Sequence, residues 1–430
     1  MSTSRHRGRF WSPGGDTVPG TLEISESGDL RLEIQGRIHE GHSTIGGTDE
    51  TVQIAGEIAH SPVPGPTVTL FRCVRTKFRF GTGGSEEHWF AQRALIGRSV
   101  VKPDAVFTKV TMSIRGLAQF LGRVPALGDW ETPVIHLPSP RTEVERFTTS
   151  DWTVTFGWKT SSRGNSTYLE VKQSPFIEVE LAQPCSVDAV LGEIVPIFEA
   201  ILTMTLQAHA RAESITVSSS DGRDTYHVFG PRVGAAAAAE GEPHQIELLF
   251  SLAELPEKHA LIGRVRQLFS QYPEFTALFL GHERAPPRYV EDRMRGSVLA
   301  LSHLAGLFPA ASHQARQWLD SLEHVPVQVR AFLPSAALVA VPELARELLT
   351  AGLCTALRVT SKESFVEGIG LAFRWATLRE GVQASGRDML RLHHQLRALT
   401  YLVLLRYLGF APDEAERRIV RYIEDLGIQL

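Results

Sequence analysis

One segment near the end of the chain combines residue types that could cleave RNA without a metal. It contains Arg387 and Asp388, followed by His393 and His394. An arginine keeps its positive charge at neutral pH and can hold a phosphate through two N–H groups. A histidine titrates near neutrality and can take the proton of a hydroxyl. On a helix the same residue types more often form a solvated polar face, so the motif needs support from the rest of the chain.

The helix that should carry this motif leaves two histidines as partners for the arginine. At 3.6 residues per turn, Arg387, Arg391 and His394 fall on one face. His393 has the better sequence spacing but points away from Arg387 unless the first turn, which contains Gly386, is irregular. The alternative interpretation is a polar stripe of Arg391 and His394 opposite the apolar face of the helix.

Composition limits the classes of protein that this chain can be. It has 430 residues, 43% hydrophobic and 21% charged, which is enough for two or three domains with cores. The net charge is −4, so any contact with RNA must be local. The three cysteines, Cys73, Cys185 and Cys354, are far apart, which argues against a disulfide framework and a cysteine-based zinc site. We expect three small core residues in a reducing cytoplasm, with no metal and no cofactor.

Two segments bear on export and on membranes. Residues 1–9 are basic, but no apolar segment follows them, so we expect a flexible tail rather than a signal peptide. The most apolar stretch, 398–408, contains Thr400 and Arg406 and is too short to cross a bilayer. The prediction is a cytoplasmic protein without a membrane partner.

The two halves of the chain have different hydrophobic periods. The first half shows short alternating segments between glycine and proline turns, which is typical of antiparallel strands. The predicted strands are 20–24, 30–34, 52–56, 66–73, 107–114, 152–156, 176–181, 214–217 and 245–250. An apolar helix after Ser186 interrupts them, and Pro196 predicts a kink or a break in it.

From residue 261 onward the apolar residues recur at helical spacing. The predicted helices start at 261 and then cover 289–307, 312–324, 342–353, 363–379, 387–408 and 412–426. The sequence therefore predicts an α+β multidomain fold. Residues 1–255 would form an antiparallel β-sandwich or partial barrel with one embedded helix pair, and 256–430 an all-α helical bundle.

The order of several short motifs resembles the start of an ApeA-type N-terminal domain. The resemblance covers most of the predicted β domain and continues through a strand, a proline and a helix in the expected order. The motifs are Trp11, Pro19-Gly20 before a hairpin, Ile54-x-Gly56, 68–73, Gly97 ahead of Phe107, Ile114-x-x-Leu117, 176–181, Pro184 and 187–206. The resemblance implies that a HEPN domain follows the β domain. Such a domain is an α-helical bundle that usually dimerises and cleaves RNA in bacterial defence against phage.

The chain departs from the expected nuclease motif. In the ApeA arrangement an arginine, a small polar residue and a histidine normally lie in the turn before the last long helix. Arg379 occupies that place, but Glu380 follows it and no histidine does. The segment from Arg387 to His393 fits the pattern better and lies a turn or two later. Either the turn has shifted, or the motif has decayed and the later match is chance.

Other polar clusters are weaker candidates. A basic run near the first bundle helix includes Arg293 and Arg295, with Glu291 and Asp292 interleaved; such runs are usually solvated helix faces, and an RNA track is the alternative. In many HEPN proteins an acidic residue on this helix supports the site, and Glu291 and Asp292 could do so here. The histidines of the first half lack tight ligand spacing, which favours ordinary surface histidines: His39, His42, His60 and His88.

Two hypotheses follow. The first is a HEPN-type, metal-independent endoribonuclease of anti-phage defence, with Arg387, Asp388, His393 and His394 as catalytic residues. Arg379 and Arg391 would bind RNA, with tRNA as a candidate substrate, after activation by an unknown phage trigger. The second is a catalytically degenerate HEPN protein that senses or binds RNA or protein. In both, the helical domain would form a homodimer, with Leu399, Leu402, Val403 and Leu405 shared between the core and a two-fold interface.

Overall fold

A computed structural model gives the architecture of most of the chain. The described residues are 3–38, 52–60, 66–81, 84–122, 139–164, 169–219, 222–231, 233, 248–284, 287–304, 341, 344–378 and 385–425. By spatial proximity the chain forms two compact units. Unit 1 contains residues 1–202 and 210–245, and unit 2 contains 203–209 and 246–430.

Unit 1 begins with a closed antiparallel barrel. Its six strands are β1 (Ser4–Trp11), β2 (Val18–Ile24), β3 (Leu30–Gln35), β4 (Val52–Ile58), β5 (Thr67–Gly81) and β6 (Gly84–Gly97). They pair in the order β3-β2-β1-β4-β5-β6, and β6 pairs again with β3, with Leu30 opposite Ala91 and Gln35 opposite Glu86. Buried and exposed residues alternate along β3, which is the pattern of a strand with one face toward the barrel interior and the other toward solvent.

The barrel interior contains a phenylalanine that only glycines can accommodate. Phe10 is fully buried, and its ring lies against Gly20 on one side and Gly56 on the other. A methyl group at Gly56 would come within 2.4 Å of Cδ1 of Phe10, and one at Gly20 within 2.9 Å of Cδ2. Both glycines therefore act through the absence of a side chain.

One carboxylate is buried inside the barrel. Glu87 on β6 has no exposed surface. It accepts hydrogen bonds from Nη1 of Arg75 at 3.1 Å, Nε1 of Trp89 at 3.2 Å and the backbone N–H of Ile38 at 3.3 Å. A buried charge is tolerated when it is paired and hydrogen-bonded in this way.

The sheet continues beyond the barrel from the far end of β6. The added strands are β7 (Phe107–Ile114), β8 (Arg141–Thr148), β9 (Trp152–Gly164), β10 (Leu169–Cys185), β11 (Ala212–Ser218) and β12 (Thr225–Phe229). Their order is β6-β12-β11-β7-β10-β9-β8, and every pairing is antiparallel. Unit 1 thus joins a closed barrel to an open sheet through a single strand.

Helices α1 (Leu117–Leu121) and α2 (Val187–Leu206) accompany the open sheet. Phe156 of β9 contacts Phe120 of α1 and Phe198 of α2 edge-on, at ring-centre distances of 6.0 and 6.2 Å. A π-helical segment, Val190–Ile194, precedes Pro196, so the proline gives an irregular turn rather than a break. By length and composition α2 could cross a membrane, but 78% of its most apolar window is buried inside the protein, which is typical of a core helix.

Unit 2 is helical. Its helices are α3 (Leu261–Gln271), α4 (Pro273–Arg284), α5 (Val290–Leu304), α6 (Ala351–Ala356), α7 (Lys362–Leu378), α8 (Gly386–Tyr407) and α9 (Pro412–Asp425), and residues 344–348 are also helical. Helix α8 packs against α5, α9 and α7. Gly409 ends the α8 segment at φ 98°, a conformation that glycine adopts without strain.

The apolar face of α8 is covered within one chain. Leu399, Leu402, Val403 and Leu405 are each at most 1% exposed. The expectation that these four side chains are shared with a two-fold interface is therefore wrong, because other residues of the same chain already bury them. Dimerisation itself stays a prediction and needs another surface.

The predicted fold class is confirmed, and several local expectations are corrected. The N-terminal tail is strand β1, because its alternate residues His6 and Phe10 enter the barrel while β2 and β4 pair on either side. Residues 248–250 are not a strand. The sequence interpretation missed β6, β8, β12 and α4. The predicted helix 312–324 and Arg379 lie outside the described residues.

The packing of Phe10 predicts a stability effect at Gly56. We expect Gly56→Ala to lower the free energy of unfolding by about 1–3 kcal/mol, because the new methyl group overpacks the ring. Gly192→Ala is the matched control, since Gly192 is exposed and nothing lies within 4 Å of a methyl group there. Urea denaturation measures both. Equal effects of the two substitutions would contradict the packing argument.

Candidate active site

Helices α5 and α8 run side by side in the same direction, and this arrangement positions the histidines of the motif. A methyl group on Gly386 would lie 4.0 Å from Cγ1 of Val290. Seven residues further along both helices, Oγ of Ser297 lies 2.7 Å from Nδ1 of His393. The equal step on both helices means that each turn of α8 faces the corresponding turn of α5.

His393 is held as a neutral imidazole. Its ring centre lies 5.2 Å from that of His394. Burial, with further contributions from the charges of His394 and Arg397, lowers the pKa of His393 from 6.5 to about 3. Charging this ring would place a cation in a half-buried position beside other cations.

His394, beside His393, has one ring nitrogen without a hydrogen-bond partner among the described residues. Its Nδ1 is buried and has no hydrogen-bond partner among the described residues. Burial lowers the pKa of His394, and the positive charges of Arg397 and Arg293 lower it further. This imidazole is therefore also favoured in its neutral form, in which one ring nitrogen can accept a proton.

A third histidine lies close to the pair. A methyl group on Gly296 would come within 1.7 Å of Cε1 of His282, so the His282 ring lies directly on the backbone of α5. Burial and then Arg293 lower the pKa of His282, while Asp292 opposes them. Since His282 is among the charges that act on His393, the rings from α4 and α8 share one electrostatic environment.

A fixed ion pair borders these rings. Nη2 of Arg397 lies 2.7 Å from Oε1 of Glu283, and the guanidinium also donates to the backbone oxygen of Gln207 and to the Tyr401 hydroxyl. Burial raises the pKa of Glu283, and Arg397 opposes that shift. The other nearby arginine, Arg293, donates through Nε to the backbone oxygen of Pro287 at 2.7 Å.

The predicted arginine and aspartate lie away from the histidine pair. Arg387 is exposed and has no ion pair or side-chain hydrogen bond among the described residues. It precedes His393 by six positions on the helix, a rise of about 9 Å. Asp388 takes part in the helix N-cap, since its backbone N–H and its carboxylate both bond to Oγ of Ser385.

The remaining predicted residues also have defined places. Nη2 of Arg391 donates to the backbone oxygen of Arg358 at 2.5 Å, which ties α8 to the residues that follow α6. Asp292 pairs with Arg295 on its own helix. Glu291 lies in the first turn of α5, at the same end of the helix pair as Arg387. The structure thus brings His393 and His394 together, and places Arg387, Asp388 and Glu291 one or two turns away.

The residues nearest to the histidines come from parts of the sequence that the motif does not include. They are Ser297, Arg293, His282 and Arg397. Arg397 follows His393 by four residues, so helical spacing could have identified it. Ser297 and His282 lie about a hundred residues earlier, and only the packing of α4, α5 and α8 brings them in.

A possible metal-ligand set lies in unit 1. Ligand atoms of Glu33, Glu86 and His88 all lie within 4.8 Å of one another. Glu33 and His88 face each other on β3 and β6, and Nε2 of His88 is 2.7 Å from Oε1 of Glu86. Sequence spacing does not reveal this set, because cross-strand pairing brings its members together. Carboxylate and imidazole donors suit a divalent transition metal.

The lowered histidine pKa values predict a loss of stability in acid. Below pH 6.5, His393 is protonated in the unfolded chain but stays neutral in the folded chain, which favours unfolding. The folded state is therefore unaffected by His393 above pH 6.5 and loses free energy of unfolding as the pH falls toward about 3. We expect the urea midpoint to drop between pH 7 and pH 5, and to drop less in His393→Gln. His259→Gln, at an exposed position, is the control and should behave as the wild type. An undiminished pH dependence in His393→Gln would argue against this assignment.

Comparison with known proteins identifies the first part of the chain. The family model described as ApeA N-terminal domain 1 matches residues 5–261, which is more than half of the sequence. No curated protein and no solved structure matches the chain. The match covers the barrel, the open sheet and α2, and it ends at residue 261, where α3 begins. The chain therefore belongs to the ApeA N-terminal domain family, which associates it with bacterial anti-phage defence.

Proposed function

We propose that unit 2 is a HEPN-type endoribonuclease that cleaves RNA without a metal as part of anti-phage defence. The observation that supports this best is the pair His393 and His394, two neutral imidazoles beside fixed arginine charges. A neutral imidazole has a ring nitrogen that can act as a base, and the nearby cations attract a phosphate. The family membership supports a defence role, and the nuclease assignment rests on this pair and on the resemblance of the motif.

His394 is the better candidate for the general base. Its Nδ1 is buried and has no partner among the described residues, so Nε2 is the nitrogen that would take the proton, whereas Nδ1 of His393 is engaged by Ser297. A base is most effective when its pKa lies near the working pH, and the pKa of His393, about 3, is far below that. An RNA phosphate would add negative charge beside His394 and raise its pKa toward neutrality.

The reaction follows from these roles. His394 removes the proton of a ribose 2′-hydroxyl, and the 2′-oxygen attacks the adjacent phosphorus. The 5′-oxygen of the next nucleotide leaves and takes up a proton, so the products are a 2′,3′-cyclic phosphate and a 5′-hydroxyl. Arg387, which is exposed and unpaired among the described residues, would hold the negative charge that develops on the phosphate oxygens.

A degenerate binding protein is the second candidate function. Asp388 is used in a helix cap and Arg391 in a backbone contact, so two of the expected site residues already have structural partners. In that case unit 2 would bind RNA or protein without cleaving it. The two candidates differ in whether RNA is cut, and one assay separates them.

The nuclease proposal predicts cleavage of tRNA in the presence of EDTA. We expect His394→Gln to reduce the rate by about 10²–10⁴, the usual contribution of a general base. Arg387→Ala should also reduce it, while Arg421→Ala, an exposed arginine on α9, should leave it unchanged. The product ends are identified by treatment with an enzyme that opens 2′,3′-cyclic phosphates.

Binding of tRNA without cleavage by the wild type would favour the degenerate protein. Equal cleavage by wild type and by Arg387→Ala/His393→Ala/His394→Ala would refute the site.

A composite site in a dimer needs an apolar surface near Arg387, and one is present. Tyr289 is 63% exposed and Leu390 is 39% exposed. They lie at the adjacent first turns of α5 and α8, beside Arg387. A two-fold contact through these side chains would bring both copies of Arg387 to one seam.

This surface predicts the oligomeric state. Light scattering should give twice the 47.5 kDa mass of one chain. Leu390→Asp should shift the protein toward the monomer, because it would place a charge in the apolar contact. Leu371→Asp, at a position 49% exposed on α7, is the control and should remain dimeric. A wild-type protein that is monomeric at all concentrations would exclude the composite site.

A further inference from the structure

The barrel of unit 1 has a large groove on its polar face. The groove has a volume of about 1080 Å³ and is lined from several strands, among them β1, β2, β3, β5 and β6. Its polar lining residues alternate with the buried residues Leu22, Leu30 and Leu32. They therefore lie on the outside of the barrel, where their side chains reach solvent.

Strand pairing places the polar residues of this groove in rows. Arg7 on β1 faces Thr21 on β2, and Thr21 faces Glu33 on β3. Glu33 faces His88 on β6, and His88 faces Lys77 on β5. In the adjoining row, Arg5 faces Glu23, Glu23 faces Arg31, and Arg31 faces Phe90. The groove thus takes its charges from five strands of one continuous surface.

Positive charge in the groove exceeds negative charge. Four cations line it, Arg5, Arg7, Arg31 and Lys77, against two carboxylates, Glu23 and Glu33, which leaves a surplus of two. Arg5 forms an ion pair with Glu23 at 3.0 Å. No ion pair or side-chain hydrogen bond joins Arg7, Arg31 or Lys77 to any other described residue. This local surplus is notable in a chain whose net charge is −4.

The groove also offers an aromatic ring and hydroxyl groups. Phe90 lines it in a partly exposed position opposite Arg31, and Thr21 contributes a hydroxyl. Its volume slightly exceeds the range of about 300–1,000 Å³ that is usual for small-molecule sites. Several unpaired cations suit a ligand with more than one phosphate, and a partly exposed aromatic ring suits a planar base.

We propose that this groove binds a nucleotide di- or triphosphate, with Arg7, Arg31 and Lys77 contacting the phosphates and Phe90 contacting the base. The site lies wholly in unit 1 and does not depend on the nuclease activity of unit 2. In a defence protein such a site would make unit 1 responsive to a small phosphorylated molecule.

The test is calorimetric titration of the full-length chain with ATP and inorganic tripolyphosphate. We expect ATP to bind, and Arg7→Ala/Arg31→Ala to weaken it by roughly tenfold or more, as for lost charged hydrogen bonds. Both arginines are exposed, so the fold should be retained, and a thermal melt checks this. The matched control is Arg163→Ala/Lys172→Ala, which removes two exposed cations from β9 and β10 outside the groove and should leave ATP affinity unchanged. Phe90→Ala should weaken ATP but not tripolyphosphate.

Three results would overturn the proposal. One is the absence of ATP binding, or equal binding by the groove variant and its control. Another is tripolyphosphate that binds as tightly as ATP, with no effect of Phe90→Ala on ATP, which would indicate a simple anion site. The third is tighter binding of a single-stranded DNA oligonucleotide than of ATP, which would indicate a nucleic-acid track. DNA is used as this probe because it lacks the 2′-hydroxyl that the proposed cleavage requires.

Discussion

The closure of the barrel through β6 is the constraint on which unit 1 depends. This strand pairs with β5 along its length, with β3 at its first half and with β12 at its end, so it belongs to the barrel and to the open sheet. It also carries Glu87, whose carboxylate is buried among Arg75, Trp89 and the backbone of Ile38. Removing one partner of such a buried charge is strongly destabilising, and a shift of β6 by one residue would turn Glu87 outward and His88 into the core. The pairing register is therefore specified by charge as well as by apolar packing.

Unit 2 uses the opposite electrostatic arrangement around its histidines. Instead of a balanced buried pair, three imidazoles from α4 and α8 lie near Arg293 and Arg397, and Glu283 is the carboxylate that partners Arg397. Burial and this excess of positive charge keep the rings neutral, and an anion would relieve the repulsion. The groove on the barrel has a similar surplus. The chain is acidic as a whole, so both regions concentrate cations locally rather than through a global basic field.

Much of the fold could be predicted because the spacing of apolar residues along the chain indicates which face of each strand or helix is buried. Alternation in 20–24, 30–34, 107–114 and 176–181 corresponds to β2, β3, β7 and β10, and the helical period after 261 corresponds to the helices of unit 2. Two of the strands that were missed, β1 and β6, share a cause. Residues 4–11 and 84–97 contain many arginine, histidine and glutamate residues, which weaken the alternation of apolar and polar residues that indicates a strand. Closure of the barrel also needs the pairing of β3 with β6, about sixty residues apart, which no local pattern encodes.

The sequence by itself determined the residue types of the candidate site, the helix that carries them and the family of the first part of the chain. It identified His393 and His394, and the ideal helix already separated His393 from Arg387, because side-chain direction on a helix depends only on spacing. Only the tertiary structure decided the neighbours of those histidines. Ser297, Arg293 and His282 reach them because α5 lies parallel to α8 and because Gly296 lets the His282 ring approach the backbone. The pKa values of the rings, and hence their chemistry, come from that packing, since burial and charge depend on atoms that are distant in sequence.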